Sequence, residues 1–217
     1  MKVGTDGVLL GAWAETEGTH NILDIGTGSG LIALMLAQRT GNKTAIDAIE
    51  IEPLAFEQAQ KNIMRSPWPD KVKAYHTSLQ NFHSITKYDL IISNPPYFQN
   101  SQKPPDARRV QARHTTSLTY LELLTSVKKL LAETGSFNVI LPYAEGLQFI
   151  ELARQFNLFC TRRCSFRTRK EKPIERWLLE FSFNDLPQSE SEIILYRTGE
   201  EWSEEYKLWT KDFYLKL

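Results

Sequence analysis

Three groups near the middle of the chain are suited to holding a flat amine: the Asn94 carboxamide, the Pro95 carbonyl and the Tyr97 ring. They follow Ile91-Ile92-Ser93, the end of an apolar run from Tyr88 that reads as a buried parallel strand. Pro95 and Pro96 stop that strand, because neither can donate to a ladder, and a residue before proline is held extended. The product is a stiff tip at a strand's carboxyl end. An amide oxygen and a carbonyl oxygen can accept both hydrogens of a planar NH2, while an aromatic ring stacks on the plane that carries it. A plain proline-rich turn is the alternative if the tetrapeptide stands alone.

A second cluster lies upstream. Asp24-Ile25-Gly26-Thr27-Gly28-Ser29-Gly30 falls between a short apolar strand and a helix, where open α/β sheets bind ligands. Glycines allow the sharp turn and the close approach of a ligand. The spacing is G-x-G-x-G, not the dinucleotide fingerprint, and Asp24 just before it favours a cationic group over a pyrophosphate. Glu50 ends the next strand, where an acidic side chain grips ribose hydroxyls. A ribose, a cationic sulfonium or amine and no phosphate describe S-adenosylmethionine. A glycine-rich turn without ligand and a nucleotide oxidoreductase are the competing readings.

Asn94-Pro95-Pro96-Tyr97 resembles the catalytic signature of methyltransferases that act on planar nitrogens, and the Asp-x-Gly-x-Gly-x-Gly run resembles the cofactor motif of class I methyltransferases. The class resemblance implies cofactor contacts at Asp24, Gly26, Gly28, Gly30 and Glu50, and at Ser78 and Leu79 after the third strand. Ser78 stands where an acidic residue is usual. Thr5 and Asp6 are further cofactor candidates, and capping of the first helix explains them equally well.

The resemblance extends along the chain. Met1 to Trp13, Ile22 to Ile32, Ala48-Ile49-Glu50, Ser66-Pro67-Trp68, Ser93 to Phe98, Arg109-x-x-Ala112-Arg113-His114 and Asp212 to Leu215 resemble the bacterial tRNA(Val) adenine-37 N6-methyltransferase family. That family implies S-adenosylmethionine as cofactor and the adenosine beside the anticodon of a valine tRNA as target. Chains of that family carry a short segment before the Met-Lys-Val-Gly-Thr-Asp run, and this sequence begins at it. The same tip also serves enzymes acting on a release-factor glutamine, DNA adenine or ribosomal RNA guanine. For tRNA binding, Arg163, Arg167, Arg169 and Lys170, with Arg162, Lys172 and Arg176, form a basic strand and loop, and Arg109 and Arg113 lie near the tip in sequence. A solvated edge face is the plainer reading of such a strand. His114 reads as a plain phosphate contact or a loop histidine rather than a proton acceptor.

These residues need a scaffold. The 217-residue chain, 41% hydrophobic and 24% charged, suits one well-buried domain spanning 1–217. Net charge is zero, so any polyanion contact comes from a local patch. Cys160 and Cys164 are about 13 Å apart on a strand, beyond disulfide reach, and no secretory segment opens the chain; a cytoplasmic location is expected. No apolar run approaches a membrane span, and the four histidines lack metal-ligand spacing, so neither membrane nor metal is expected. A monomer is favoured, with no sequence feature deciding the oligomeric state.

Strands are predicted at Asn21–Ile25, Thr44–Ile49, Val72–His76, Tyr88–Ile92 and Phe137–Leu141, with helices between them; one runs from Leu118 to Leu131 and is closed at Gly135. Leu158–Phe166 and Arg176–Phe183 follow as a hairpin. The expected fold is α/β: Rossmann-like and doubly wound, a mostly parallel seven-stranded sheet with an antiparallel edge strand.

Overall fold

The computed structural model of the protein describes residues 4–96 and 118–214. Strands β1 (Asn21–Ile25), β2 (Ala45–Glu50), β3 (Val72–His76), β4 (Tyr88–Ser93) and β5 (Leu131–Pro142) run parallel in one sheet. Helices α1 (Thr5–Trp13), α2 (Leu31–Arg39) and α3 (Pro53–Arg65) alternate with the first of these, followed by α4 (Tyr120–Leu130) and α5 (Tyr143–Arg154). Strands β6 (Phe159–Arg167), β7 (Arg176–Ser182) and β8 (Ser189–Ile194) complete an eight-stranded sheet of order β3-β2-β1-β4-β5-β7-β6-β8. A small hairpin, β9 (Tyr196–Thr198) with β10 (Glu201–Trp202), leads into α6 (Glu204–Thr210).

The middle strands read as continuous apolar runs because helices cover both of their faces. Ile22, Leu90 and Ile92 pack with Leu9, Leu10, Leu36 and Tyr206 from α1, α2 and α6. Leu23, Ile91 and Val139 pack on the other face with Leu124 and Val127 of α4 and Phe149 of α5. The strand carboxyl ends line up at one edge of the sheet, where both sequence clusters fall.

Two expectations are corrected. The sheet has eight strands rather than seven, and its antiparallel member β7 is internal: it pairs antiparallel with β5 and with β6, while β8 joins β6 in parallel as the outer strand. The polar run Ser189–Glu192 masked β8, because those four residues are exposed on the outer strand and need not alternate; only Ile193 of the strand is buried. Gly135 does not close a helix. It lies inside β5, where a Cβ would sit 2.7 Å from the Tyr88 carbonyl oxygen, so only glycine lets the two strands pass.

Because β6 runs back into β7, the loop at 168–175 between them stands at the carboxyl edge too; Arg176 opposes Pro142 on one side and Phe166 on the other.

Candidate active site

A cleft of about 760 Å³ opens at the carboxyl edge between the ends of β1, β2, β3 and β4. Its wall includes Gly26, Thr27 and Gly28 of the glycine loop, Glu50 and Ile51 after β2, Ser78 to Asn81 after β3, and Ser93 to Pro96 after β4. The two chemistry-bearing clusters, some seventy residues apart in sequence, therefore share one cavity.

Gly26, Gly28 and Gly30 hold φ of 71°, 60° and 82°, values that a side chain disfavours. Four of the loop's amides are satisfied internally. Gly26 and Thr27 donate to the Ile49 carbonyl and Gly30 donates to the Thr27 carbonyl, each at 3.0 Å. Gly28 donates to Glu50 Oε2 at 2.8 Å. A phosphate cradle requires such donors to face the ligand; here they are spent on protein acceptors, and a carboxylate takes the phosphate's place. The loop does not suit a pyrophosphate.

Glu50 is buried and accepts three backbone N–H bonds: Gly28 on Oε2, and Ile51 and Glu52 on Oε1, both at 2.9 Å. A carboxylate has about four acceptor positions, so capacity remains toward the cleft for a hydroxyl. Leu79 is buried in the wall beside Ile51, which is half exposed, and the pair offers apolar surface to a flat ring. Ser78 also lines the cleft, but its hydroxyl caps the short 3-10 turn Leu79–Asn81, accepting from Asn81 N at 3.3 Å.

Asp24 lies elsewhere than its sequence position suggests. It is only 1% exposed and does not face the cleft. Oδ2 accepts from Thr27 Oγ1 at 2.6 Å and from Ala33 N at 3.2 Å, bracing the glycine loop against the first turn of α2. Oδ1 is buried without a partner, and burial pushes the carboxyl's pKa up to about 7.

At the other wall, Asn94 is half-buried, Pro95 buried and Pro96 exposed. Ser93 anchors the tip from below, its hydroxyl donating to the Ile25 carbonyl at 2.9 Å. Gly7 of α1 lines the cleft beside the tip: a Cβ there would come within 3.3 Å of Leu31 Cδ2 and 4.0 Å of Asn94 Nδ2. Thr5 and Asp6 do not line the cleft. Nor do they cap α1: its N-cap is Gly4, with no side-chain bond, and the Asp6 carboxylate pairs with Arg176. Sequence reasoning missed Gly7, Ile51 and the Thr119–Glu122 capping box, all of which line the cleft. There the Glu122 carboxyl is held below its usual range by the Thr119 backbone and hydroxyl and by Gln80.

The basic stripe is largely answered by neighbours. Arg163 pairs with Glu190 and Arg167 with Glu192, both carboxylates supplied by β8. Arg162 pairs with Glu180 and lies 4.0 Å over the Trp13 ring. Arg169 sits over Tyr196, and Lys170 and Lys172 are exposed on the edge loop. Tyr97, Arg109 and Arg113, like Arg108 and His114, lie outside the described residues. Among the described residues there is no cluster of side chains suited to a metal and no helix long and apolar enough to cross a membrane. Cys160 and Cys164 are free thiols on β6, pushed up to about 11 by burial.

Comparison with known proteins settles the family. The methyltransferase small domain family matches residues 4–160. A tRNA1(Val) (adenine(37)-N6)-methyltransferase of Bacteroides thetaiotaomicron is 43% identical over 217 residues, covering 100% of this chain and 92% of that protein. Proteins of the same name from Trichodesmium erythraeum and Parabacteroides distasonis are 44% and 46% identical, again over 100% of this chain and 92% of theirs. The chain belongs to the tRNA1(Val) (adenine(37)-N6)-methyltransferase family. The fold is shared more widely. A predicted O-methyltransferase from Agrobacterium tumefaciens superposes with a TM-score of 0.73 at 14% identity, over 95% of this chain and 96% of that one. A methyltransferase from Pyrococcus furiosus does so with 0.58 at 22% identity, over 78% of each. Within the family, then, the glycine loop, Glu50 and the Asn94 tip of this member meet in one cleft.

Proposed function

We propose that this protein transfers a methyl group from S-adenosylmethionine to the exocyclic N6 of adenosine 37 in a valine tRNA. The observation that carries the reading is the shared cavity: a ribose-gripping carboxylate on one wall and a prolyl tip with two oxygen acceptors on the other. Relatives more than 40% identical over the full chain carry that activity in their names.

The cleft suits this cofactor. Glu50 would take the ribose hydroxyls, Ile51 and Leu79 the adenine faces, and the positive-φ glycines leave room for the amino-acid end. Bound there, the cofactor supplies an electrophilic methyl. On the opposite wall, the Asn94 side-chain oxygen and Pro95 carbonyl accept the two N6 hydrogens, which turns the nitrogen lone pair out of the ring plane and toward the cofactor side. As N6 becomes positive both acceptors strengthen their hold, which is binding of the transition state in preference to the ground state. Tyr97, next in the chain, is the stacking partner assigned by sequence. The remaining task is alignment, since a lone pair needs no deprotonation before it attacks. As the bond from N6 to the methyl forms, the methyl's bond to sulfur breaks to leave a neutral thioether, and the surplus N6 proton passes to water after transfer. The cleft's titratable groups fit that economy. Glu50 is committed to three amides and Glu122 to its capping box, so neither stands ready as a base. The target base is flipped out of an anticodon loop, where unstacking is easier than in a duplex. Arg169 and Lys170 on the edge loop would hold the RNA backbone, while Arg163 and Arg167 contribute only by exchanging their glutamates for phosphate.

Labelled S-adenosylmethionine offered with total tRNA, ribosomal RNA, DNA and release factor tests the substrate. Label at adenosine 37 of valine tRNA, located by mass mapping, is expected; label confined to another acceptor overturns the reading. Asn94→Ala is expected to lower turnover at least about a hundredfold with cofactor affinity retained. Near-normal turnover would remove the acceptor role.

A further inference from the structure

Beside the cleft, the sheet's carboxyl edge carries an aromatic surface that the transfer chemistry does not use. Tyr143 begins α5 directly after β5, its amide donating to the Glu175 carbonyl at 3.1 Å. Its ring stacks on Trp177 with centroids 5.9 Å apart and planes 26° from parallel. Trp177 is 4% exposed and held from two sides. The Arg163 guanidinium lies 5.1 Å from its ring, and Gly146 lets α5 press so close that a Cβ there would meet Trp177 Cδ1 at 3.0 Å. Tyr143 itself is 41% exposed. A large ring stacked on a buried neighbour while its residue stays 41% exposed can serve as a stacking platform, and part of its entropy of ordering is already lost.

Position and charge indicate the occupant. Val139 registers with Ser93, and Pro142 with Arg176, so Tyr143 stands at the carboxyl edge one strand over from the Asn94 tip, on the order of 10 Å away by strand geometry. On its far side rises the 168–175 loop, with the exposed cations Lys170 and Lys172, Arg169 beside them, and the carboxylates Glu171 and Glu175. Glu175 is engaged by the Thr168 amide and hydroxyl. Flat apolar surface between a cleft for one flipped base and a basic loop matches a single strand of RNA, whose bases stack while its phosphates follow the cations.

We infer that Tyr143, seated on Trp177, stacks an unpaired nucleobase adjacent to the target adenosine and so positions the strand at the catalytic tip. Arg163, which the sequence offers as a phosphate contact, acts here as the backing of Trp177. The inference rests on the tRNA reading above and adds a residue to it.

The test uses the full chain and an anticodon-arm RNA hairpin of valine tRNA carrying 2-aminopurine next to adenosine 37. Wild-type protein is expected to quench the probe on binding. Tyr143→Ala and Tyr143→Leu are expected to abolish the quench and raise Kd on the order of 5- to 150-fold, with the loss appearing in KM rather than kcat. Tyr143→Phe, which keeps the flat face, is expected to stay within about twofold of wild type. The Leu variant preserves apolar contact with Trp177, so a fold defect in the Ala variant would not decide the matter. Wild-type protein that methylates the hairpin while Tyr143→Leu binds it equally well overturns the platform alone. Wild-type protein that neither binds nor methylates it overturns the platform and the tRNA reading together.

Discussion

Asp6 and Arg176, 170 residues apart in sequence, form an ion pair with Oδ2 and Nε separated by 3.1 Å. The pair ties the first turn of α1 to the start of β7 and so spans the end of β5. Gly7, the next residue of α1, borders Asn94. The clamp therefore helps hold the helix against the Asn94 tip. Both side chains are roughly a quarter exposed, at 21% and 28%, so solvent screens the attraction in part. A double-mutant cycle on Asp6→Asn and Arg176→Gln should give a coupling of about 1 kcal/mol in stability. Turnover should fall in each single variant, and the double variant should be no worse than either alone; additive losses would deny the clamp.

Gly7 should tolerate one carbon and no more. A Cβ meets Leu31 Cδ2 at 3.3 Å, the end of a side chain that can shift, and alanine favours the helix by about 1 kcal/mol. Gly7→Ala should melt within a few degrees of wild type. In Gly7→Val the extra methyls reach the Asn94 carboxamide, and kcat should fall at least about tenfold, the scale of a displaced near-attack geometry. Melting scans and single-turnover rates on both variants check this.

Glu50→Gln keeps the volume and exchanges one acceptor oxygen for an NH2. The three amides now bound by the carboxylate would then include at least one facing a donor. Leaving a buried donor unpaired costs about 1–3 kcal/mol. Stability should drop by that amount, and on the proposed role of Glu50 as ribose acceptor, S-adenosylmethionine affinity, read by titration calorimetry, should fall about tenfold or more.

Asp24 predicts a slope of stability with pH. Its folded pKa, about 7, lies above the ordinary 3.8. Between those values the unfolded chain is ionised while the folded chain keeps its proton. Stability therefore falls as pH rises through that window, and the penalty is complete above it. At 1.36 kcal/mol per unit the total is roughly 4 kcal/mol. Asp24→Asn can keep an oxygen toward Thr27 and Ala33 and does not titrate. Denaturant midpoints of the two proteins should diverge from pH 4 to pH 7, with the variant gaining relative to wild type; parallel curves would show the carboxyl ionising freely in the folded state.

The sequence by itself determined the first strands and helices and the chemistry of the tip. Tyr88 to Ser93 is a strand because Leu90, Ile91 and Ile92 form an unbroken apolar core within it, and Pro95-Pro96 end it by lacking donors. Gly26, Gly28 and Gly30 mark a turn because only glycine readily takes their dihedrals. These are local facts, written in neighbouring residues. What only tertiary structure decided is which way a side chain faces and what answers its charge. Asp24 turns inward because the loop and α2 fold over it, and Asp6 leaves its helix for Arg176. Arg163 and Arg167 meet Glu190 and Glu192 only because β8 adds to β6 in one register. Gly135 reads as a helix stop until β4 runs beside it. Tyr143 and Trp177, 34 positions apart, meet because β7 runs antiparallel against β5, a pairing fixed by register across the sheet and by no pattern within either segment.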